Sequence, residues 1–323
     1  MCEYMTCDAL SIFRALADPT RLRIFHLLRA MELSIGELAQ VLTQSQPRVS
    51  RHVKILADAG LCVRRREGSW VFLGLGAAAC VTPLFAAIDD WNRDADDVWA
   101  VADRTRLAAV RADRAAAAAR YFAEHAEEWD AIRSLHVPES AVEQRIVDTL
   151  ADAPIGRMVD IGTGTGRMIE LVGGQASAAL GIDRSPEMLR LARVKLSEAG
   201  LAQAELRQGD MYALPLDDGS ADLVILHQVL HFAQHPAAAI AESARLLSPG
   251  GRLLIVDFAS HEREDLRSRD AHVRLGFDDD QIGGWFQAAG LGLDRVEALV
   301  GDALTVKLWL GLRGQRSQLK AVS

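Results

Sequence analysis

One short stretch, Met158-Val-Asp-Ile-Gly-Thr-Gly-Thr-Gly-Arg167, constrains the fold of this 323-residue chain more than any other. Its apolar start predicts a buried strand, three glycines follow at positions 162, 164 and 166, and helical spacing of apolar residues resumes at Met168. Because glycine has no Cβ, the backbone of such a loop can lie against a ligand at the start of the helix. The stretch therefore predicts a strand, a glycine loop and a helix that form a ligand site.

Acidic residues at the ends of the next apolar runs support this prediction. Asp183 ends the run that lies about 20 residues beyond the loop, where a carboxylate can accept hydrogen bonds from both hydroxyls of a ribose. Gly209 and Asp210 close the third strand-like segment. Asp183 has an alternative interpretation as the cap of the helix that begins near Pro186.

The spacing Gly-x-Gly-x-Gly, with Asp160 two residues before it, resembles that of class I S-adenosylmethionine (SAM)-dependent methyltransferases rather than the dinucleotide fingerprint Gly-x-Gly-x-x-Gly. The resemblance extends over roughly residues 120–312. It implies that SAM or S-adenosylhomocysteine (SAH) is the bound ligand. The residues that it assigns to the ligand are Asp160, Gly162, Thr163, Gly164, Gly166, Asp183, Arg184, Met188, Gly209, Asp210, Met211 and His227.

Strand and helix signals alternate through the second half of the chain. Apolar runs predict strands at 157–161, 178–182, 203–207, 222–226 and 251–257, and a final antiparallel hairpin at 291–299 and 303–312. A parallel sheet presents its ligand at the carboxyl ends of its strands, where the predicted ligand residues lie. The predicted class is α/β, with a Rossmann-like, seven-stranded methyltransferase fold in this half.

The first 76 residues carry a different pattern. Asp18-Pro19-Thr20 predicts a helix start, Ser34 with Glu37 predicts a capping box, and Gly60 predicts the end of a further helix. Residues 61–73 predict a hairpin with its tip at 67–69. Helix, turn, helix and basic hairpin together predict a winged helix-turn-helix.

The polar side of the second helix and the basic hairpin predict contacts with DNA. The first turns of the helix would enter the major groove, and the hairpin arginines would reach phosphates or the minor groove. The predicted contact residues are Ser45, Gln46, Arg48, Ser50, Arg51, His52, Lys54, Arg64, Arg65 and Arg66, and the predicted buried ones are Val49, Val53, Ile55 and Leu56. The alternative is a solvated polar face on a protein-interaction domain.

Segments 16–24 and 50–61 resemble the ArsR/SmtB family of dimeric repressors. The resemblance implies a homodimer that binds double-stranded operator DNA. Many members sense metals through a Cys-x-Cys pair before the recognition helix, but here that region reads Leu33-Ser-Ile-Gly-Glu37. Cys2 and Cys7 remain an alternative site for a soft metal, although no metal is expected.

A connector over residues 77–125 is predicted between the two patterns. Neither glycine nor proline occurs between Pro83 and Pro138. Apolar or small residues recur there at steps of four and three, at Leu84, Ile88, Trp91, Ala95, Val98, Ala102, Thr105, Ala109, Ala112, Ala116 and Ala119. This seam predicts a partner helix in a dimer, and the alternative is packing on the chain's own ligand domain. The predicted domains are thus a winged helix-turn-helix at 1–76, a helical dimerisation connector at 77–125, and a SAM-binding domain at 126–323.

Charge is divided unevenly along the chain. The net charge is −8, yet residues 1–76 hold ten basic and seven acidic residues, so the remainder carries −11. DNA contacts must therefore come from the first part of the chain. No cationic leader with an apolar core and no run of about 18 apolar residues is present, so a cytoplasmic protein without a membrane segment is expected. The four cysteines lack Cys-x-x-Cys spacing, and no disulfide framework is expected.

His227, His231 and His235 are spaced four apart and could ligate a metal if they shared a helix. The surrounding segment resembles the post-strand motif of many methyltransferases, which bind no metal there. The favoured interpretation places the three histidines at the mouth of a pocket.

The combination of both patterns in one chain predicts regulation. It resembles proteobacterial repressors that respond to SAH and control the methionine cycle, so the leading hypothesis is a dimeric repressor whose DNA affinity depends on SAM or SAH. The second hypothesis is an active methyltransferase of a small molecule, with no catalytic residue identified, whose head controls its own operon. Arsenite is excluded as its substrate because arsenite methyltransferases rely on cysteines and none follows Cys80. The third is a scaffold with vestigial ligand binding, against which the intact glycines and Asp183 argue.

Overall fold

The computed structural model describes residues 8–67, 70–91, 101–110, 112, 138–201 and 203–314, without the side chains at 65, 67, 70 and 268. The chain divides into two compact units, Met1–Ala116 and Ala117–Ser323, called here the head and the body. Among the described residues, no helix is long and apolar enough to cross a membrane. The predicted limits of a separate connector, 77–125, stay a prediction.

The head is a helical domain with a small antiparallel sheet of strand order β1-β3-β2. Its elements are α1 (Ala9–Leu16), α2 (Pro19–Ala30), β1 (Leu33–Ser34), α3 (Ile35–Leu42), α4 (Gln46–Asp58), β2 (Cys62–Glu67), β3 (Trp70–Leu75) and α5 (Ala78–Trp91), and residues 101–110 form a further helix, α6. The helix-turn-helix is α3 and α4, and the hairpin β2–β3 is the wing. Residues 68 and 69 of the predicted hairpin tip lie outside the described residues.

Local signals in the sequence determine where these helices begin and end. Asp18 caps α2 by accepting a hydrogen bond from the Arg21 amide at 3.1 Å. Ser34 and Glu37 form the predicted capping box, with the Ser34 amide 2.8 Å from Glu37 Oε2 and the Glu37 amide 3.3 Å from Ser34 Oγ. Gly60 follows α4 with a φ of +71°, a conformation that favours glycine. The predictions for these boundaries are confirmed.

The head core takes in part of the predicted dimerisation seam. Phe85 of α5 stacks on Phe25 of α2 with ring centroids 4.2 Å apart. Ile88 is buried in the same core and Leu84 packs against it, so both side chains are used within the head, whereas Trp91 is 70% exposed. The seam prediction is therefore wrong for Leu84 and Ile88. Of the other seam positions, 95, 98, 116 and 119 lie outside the described residues.

Helix α6 is held to the head by apolar packing and by a buried ion pair. Leu107 and Val110 belong to the head core. Arg23 of α2 donates two hydrogen bonds to Asp103, at 2.7 and 2.6 Å, and the two side chains are only 14% and 7% exposed. Arg106 also lies 3.3 Å from Asp103 and donates to the Val41 carbonyl at 3.4 Å. These contacts join α6 to α2 and α3, which pack against the recognition helix α4.

Two described cysteines differ in state. Cys62 is free and buried, and burial raises the pKa of its thiol to about 11. Cys80 is disulfide-bonded; one bridged cysteine is not a disulfide framework, so the expectation that no such framework forms stays a prediction. The predicted metal alternative at Cys2 and Cys7 falls on residues outside the described part of the chain.

The body is a seven-stranded sheet with helices on both faces. The elements in chain order are α7 (Glu139–Leu150), β4 (Arg157–Ile161), α8 (Arg167–Val172), β5 (Ala178–Asp183), α9 (Pro186–Glu198), β6 (Glu205–Gln208), β7 (Ala221–His227), α10 (Pro236–Leu246), β8 (Leu247–Phe258), α11 (Asp265–Arg269), α12 (Asp279–Ala288), β9 (Leu291–Val300) and β10 (Thr305–Arg313).

The strand order is β6-β5-β4-β7-β8-β10-β9, and β10 runs antiparallel to both of its neighbours. Strands β7 and β8 are almost entirely buried, as expected where helices cover both faces of a parallel sheet. All seven predicted strands exist and the terminal hairpin is antiparallel, so the predicted class and fold are confirmed. Strand β8 begins at Leu247 rather than at 251, because the Ser248–Gly251 segment continues into it. The carboxyl ends of β6, β5, β4 and β7 lie along one edge of the sheet, which positions the site.

Candidate nucleotide site and nucleic-acid interface

The glycine loop joins β4 to α8 in a conformation that depends on glycine. Gly162, Gly164 and Gly166 have φ angles of +73°, +53° and +85°, in the region that side chains rarely adopt. The amides of Gly162 and Thr163 donate to the Ile182 carbonyl at 2.7 and 2.9 Å. The loop is therefore anchored to β5, and its turn places backbone rather than side chains at the start of α8.

A hydrogen bond between two buried polar side chains stabilises this loop. Asp160 is 1% exposed and accepts a hydrogen bond of 2.6 Å from the Thr163 hydroxyl, itself on a buried residue. On the other side, a Cβ added at Gly162 would come within 2.3 Å of Val229 Cγ2. The loop is thus packed tightly between its own strand and the segment after β7. The predicted roles of Asp160 and Thr163 in ligand binding would have to act mainly through the loop backbone.

Asp183, at the end of β5, is tied to the glycine loop. Its Oδ2 accepts from the Gly164 amide and its Oδ1 from the Ser185 amide, both at 2.8 Å. Burial raises the pKa of Asp183, and the hydrogen bonds from backbone amides oppose that effect. The cap of α9 is Ser185, whose hydroxyl accepts from the Met188 amide at 3.2 Å, so the alternative reading of Asp183 as that cap is wrong.

Most of the other predicted ligand residues lie at or just after the ends of strands, whereas Met188 lies in the core. The Gly209 amide donates to the Asp183 carbonyl at 3.0 Å, which joins the third loop to the second. Exposed Asp210 accepts from the Tyr212 amide at 3.2 Å, Met211 is half-buried, and His227 ends β7 beside β4. Arg184 is exposed, whereas Met188 is 1% exposed and packs against Phe232. The glycine loop, the Asp183 carboxylate and the end of β6 therefore lie close together. Met188, in contrast, is buried in the core.

The histidine-containing segment after β7 is not one helix. β7 ends at His227, a single 3₁₀ turn covers Leu230–Phe232, and α10 begins only at Pro236. His231 is 3% exposed, so placing it at the mouth of a pocket was wrong. Gln228, buried beside this turn, has a φ of +48°, a strained conformation for a residue with a side chain.

A buried His–Asp pair lies in this segment. His231 Nδ1 is 2.8 Å from Oδ1 of Asp257, near the end of β8. Sequence reasoning overlooked Asp257, although it ends a buried apolar run just as Asp183 does; nothing in the sequence shows that it pairs with His231. Tyr212 is a second overlooked residue: its hydroxyl accepts from the Gln234 and His235 amides at 2.8 and 3.2 Å, and burial raises its pKa.

In the head, α4 turns its polar side to solvent. Val49, Val53 and Leu56 are fully buried. The exposed predicted contact residues are Ser45, Gln46, Arg48, Arg51, Lys54, Arg64 and Arg66. A groove of about 580 Å³ lies between the starts of α3 and α4 and the wing, and Gln46 and Ser50 line it. The Arg65 side chain lies outside the described part of the chain.

Two residues of α4 differ from their predicted orientation. His52 is half-buried, with its Nδ1 3.7 Å from Oδ1 of Asp18, so it faces the cap of α2. Ile55 is 42% exposed, and its predicted burial is wrong. Both lie at the edges of the buried side of the helix, where a small rotation about the helix axis decides whether a side chain faces the core or the solvent.

Comparison with known proteins agrees with both halves of this description. A family described as a helix-turn-helix domain matches residues 16–66, and one described as a methyltransferase domain matches residues 159–255. The arsenical resistance operon repressor of Escherichia coli K12 is 38% identical over 96 residues, which cover 28% of this chain and 80% of that repressor. The chain belongs to the ArsR family. Its ArsR-type head is joined to a methyltransferase domain, which the repressor's match does not cover.

Two methyltransferases are similar to the body of this ArsR family protein. An uncharacterized methyltransferase of Mycobacterium bovis is 38% identical over 117 residues, covering 36% of this chain and 46% of that protein. The demethylmenaquinone methyltransferase of Thermus thermophilus is 36% identical over 118 residues, covering 36% of this chain and 53% of that enzyme. The chain thus spans about half the length of these relatives. The body is therefore similar to methyltransferases over the residues that these matches cover.

Proposed function

We propose that this ArsR family protein is a cytoplasmic, dimeric transcriptional regulator whose body binds SAM or SAH and thereby controls the affinity of the head for operator DNA. The resemblance to SAH-responsive repressors suggests genes of the methionine and SAH cycle as targets. The observation that carries the proposal is the presence, in one chain, of an exposed cationic recognition helix and of a glycine loop anchored to Asp183.

The residues at the body's sheet edge fit a sulfonium nucleoside. The loop from Gly162 to Gly166 offers backbone at the start of α8, where amide groups and the helix dipole suit the carboxylate of a methionine moiety. Asp183 is held by two amides and keeps lone pairs for both ribose hydroxyls. Asp210 and Met211 would flank the adenine, and His227 would complete the site. When bound, SAM supplies an electrophilic methyl group.

The head fits duplex DNA. Arg48, Arg51 and Lys54 are exposed on α4, and Arg64 and Arg66 are exposed on the wing. Cationic side chains on one helix and an adjacent hairpin can contact phosphates on both sides of a groove, and the first turn of the helix can reach base edges. Residues 77–323 carry a net charge of −11, whereas residues 1–76 are net positive, so DNA would be bound through the first 76 residues.

A second copy of this chain fits the exposed face of α1. Leu10 and Phe13 are each 56% exposed and lie three residues apart, on the same side of the helix. Two-fold pairing would present two recognition helices about one turn of DNA apart. The exposure of Leu10 and Phe13 therefore supports a homodimer, in which a second copy would cover these apolar side chains.

We expect Phe13→Glu to convert a dimer into a monomer in sedimentation-velocity experiments, because a buried carboxylate would have no partner at the interface. Val194→Glu, at a 51%-exposed apolar position of the body, is the matched control and should leave the mass unchanged. A dimer that survives the Phe13 change would show that α1 is not the interface.

Ligand control of DNA binding is tested by titration. We expect SAM or SAH, added to the full chain, to change the dissociation constant for a labelled DNA fragment from upstream of its own gene by at least about tenfold. A shift from 99% to 1% of the DNA-binding state requires about 10⁴-fold discrimination between states, and a ligand that binds both states equally shifts nothing.

The variant with Arg48→Ala and Arg51→Ala is the control for the DNA side. It should bind SAM and SAH with unchanged heat in calorimetry yet lose DNA affinity at every ligand concentration. If neither ligand alters DNA affinity in the unmodified chain while SAH is released from SAM with an acceptor, the regulator proposal fails and the protein acts as a methyltransferase. The buried His231–Asp257 pair favours that second function.

A further inference from the structure

The pair formed by His231 and Asp257 has the geometry of an oriented base. Asp257 is fully buried, and its Oδ2 accepts from the Leu230 and His231 amides at 2.9 and 3.1 Å. Its Oδ1 accepts from the Phe258 amide at 2.7 Å and lies 2.8 Å from His231 Nδ1. A carboxylate held by three backbone amides cannot rotate, so it fixes the imidazole plane.

This arrangement also determines the tautomer. An ionised carboxylate only accepts hydrogen bonds, so Nδ1 must carry the proton in the 2.8 Å contact with Asp257. Nε2 then bears the lone pair. Within the described residues, no hydrogen bond to Nε2 of His231 is found. The imidazole is therefore set to take a proton at Nε2, and Asp257 would stabilise the resulting cation.

The location of the pair matches the side from which a methyl acceptor would approach. The proposed ribose contact is at the end of β5 and the glycine loop is at the end of β4. The remaining part of the same edge is formed by β7 and β8, where His231 and Asp257 lie. Val229, two residues before His231, already touches the glycine loop.

The surroundings of His231 are aromatic. Its ring centroid lies 4.0 Å from that of Phe232, 5.1 Å from Phe258 and 4.2 Å from His272. The backbone amide of Arg274 donates to the His231 carbonyl at 2.9 Å. Among the described residues, the titratable side chains in contact with the His231 ring are thus Asp257 and His272. The apolar rings of Phe232 and Phe258 beside the imidazole suit an aromatic compound with a hydroxyl group.

We propose that the body methylates a phenol-type acceptor and that His231, oriented by Asp257, accepts the phenol's proton. The proposal rests on the proposed binding of SAM by the same site. The acceptor oxygen forms a bond to the methyl carbon while the bond from that carbon to sulfur breaks. The electron pair of the broken bond stays on sulfur, which gives SAH. The hydroxyl proton passes to Nε2 of His231 and is then lost to water. A neutral phenol needs such a base, whereas a phenolate does not.

Two acceptors that differ in acidity test this role with the full chain and SAM. With catechol, His231→Gln should lower kcat by about 10²–10⁴-fold, the usual contribution of a positioned base. With 4-nitrocatechol, which is already ionised at about pH 8, the same variant should lose less than about tenfold. With catechol, the unmodified chain should also show a rate that rises with pH and then levels off.

A matched variant and two further measurements separate chemistry from folding. His261→Gln, which changes a histidine near Phe258, should reduce kcat less than about threefold with either acceptor. Asp257→Asn should lower kcat with catechol, and ¹⁵N NMR of the protein without SAM should show loss of the Nδ1–H tautomer of His231. Calorimetric affinity for SAM should stay within about threefold in His231→Gln.

Unequal losses with the two acceptors, together with intact SAM binding, support the proposal. Equal losses with both acceptors overturn it, because they indicate a structural role for His231. Methylation of neither phenol overturns it as well. Failure of the unmodified chain to bind SAM would instead remove the proposed function on which it rests, so the two failures are distinguishable.

Discussion

Replacing Asp183 with alanine is expected to weaken the binding of SAM and SAH by about 10- to 150-fold. A hydrogen bond to a charged group contributes about 1.5–3 kcal/mol, and each 1.36 kcal/mol is a factor of ten in affinity. Asp183 is placed to act on the ligand directly and also holds the glycine loop through the Gly164 amide at 2.8 Å. Isothermal titration calorimetry on the full chain measures the change.

Glu187→Gln is the matched control for this prediction. Glu187 is an exposed carboxylate at the start of α9, four residues from Asp183, and hydrogen-bonds the Ser185 hydroxyl at 2.8 Å. The affinity of the Glu187→Gln variant for SAM should stay within about twofold of that of the unmodified chain. If Asp183→Ala keeps the affinity of the unmodified chain while its circular dichroism is unchanged, Asp183 does not contact the ligand.

Replacing Asp103 with alanine should destabilise the attachment of α6 to the head by about 3–5 kcal/mol. The change removes the carboxylate that accepts two hydrogen bonds from Arg23, which is only 14% exposed, and removing one partner of a buried pair costs about that much. Hydrogen–deuterium exchange of the full chain should show exchange in α2 and residues 101–110 that is about 100-fold faster or more.

The pair of Arg29 and Asp89 provides the comparison. Here a single nitrogen, Nη1 of Arg29, lies 2.8 and 2.9 Å from the two Asp89 oxygens, and the side chains are 47% and 51% exposed. Because solvent screens exposed ion pairs, Asp89→Ala should barely change exchange in the same peptides. Equal effects of the two substitutions would mean that burial of the Arg23–Asp103 pair is not what stabilises this attachment.

Much of the fold follows from patterns that are local in the chain. The glycine loop depends on φ angles that only glycine adopts readily, and the three glycines that allow these angles are visible between residues 158 and 168. Buried strands with apolar runs, such as β7 and β8, are visible for the same reason. The capping box of Ser34 and Glu37 closes within four residues, so its geometry could also be predicted.

Side-chain orientation at the edges of helices could not be predicted. Ile55 and His52 both lie on α4, yet Ile55 is 42% exposed while His52 faces Asp18. Likewise, Ile88 has the spacing of a dimerisation seam but is buried in the head core, close to Phe85. Helical periodicity shows that a stripe will be covered, but it does not show which surface covers it.

By itself, the sequence determined the two folds, the positions of the glycine loop and the recognition helix, and the carboxylate that follows β5. Only the tertiary structure decided that His231 pairs with Asp257 and that Arg23 pairs with Asp103, across separations of 26 and 80 residues. The physical reason is that backbone conformation responds to neighbouring residues, whereas a buried ion pair exists only where packing removes two distant side chains from water together.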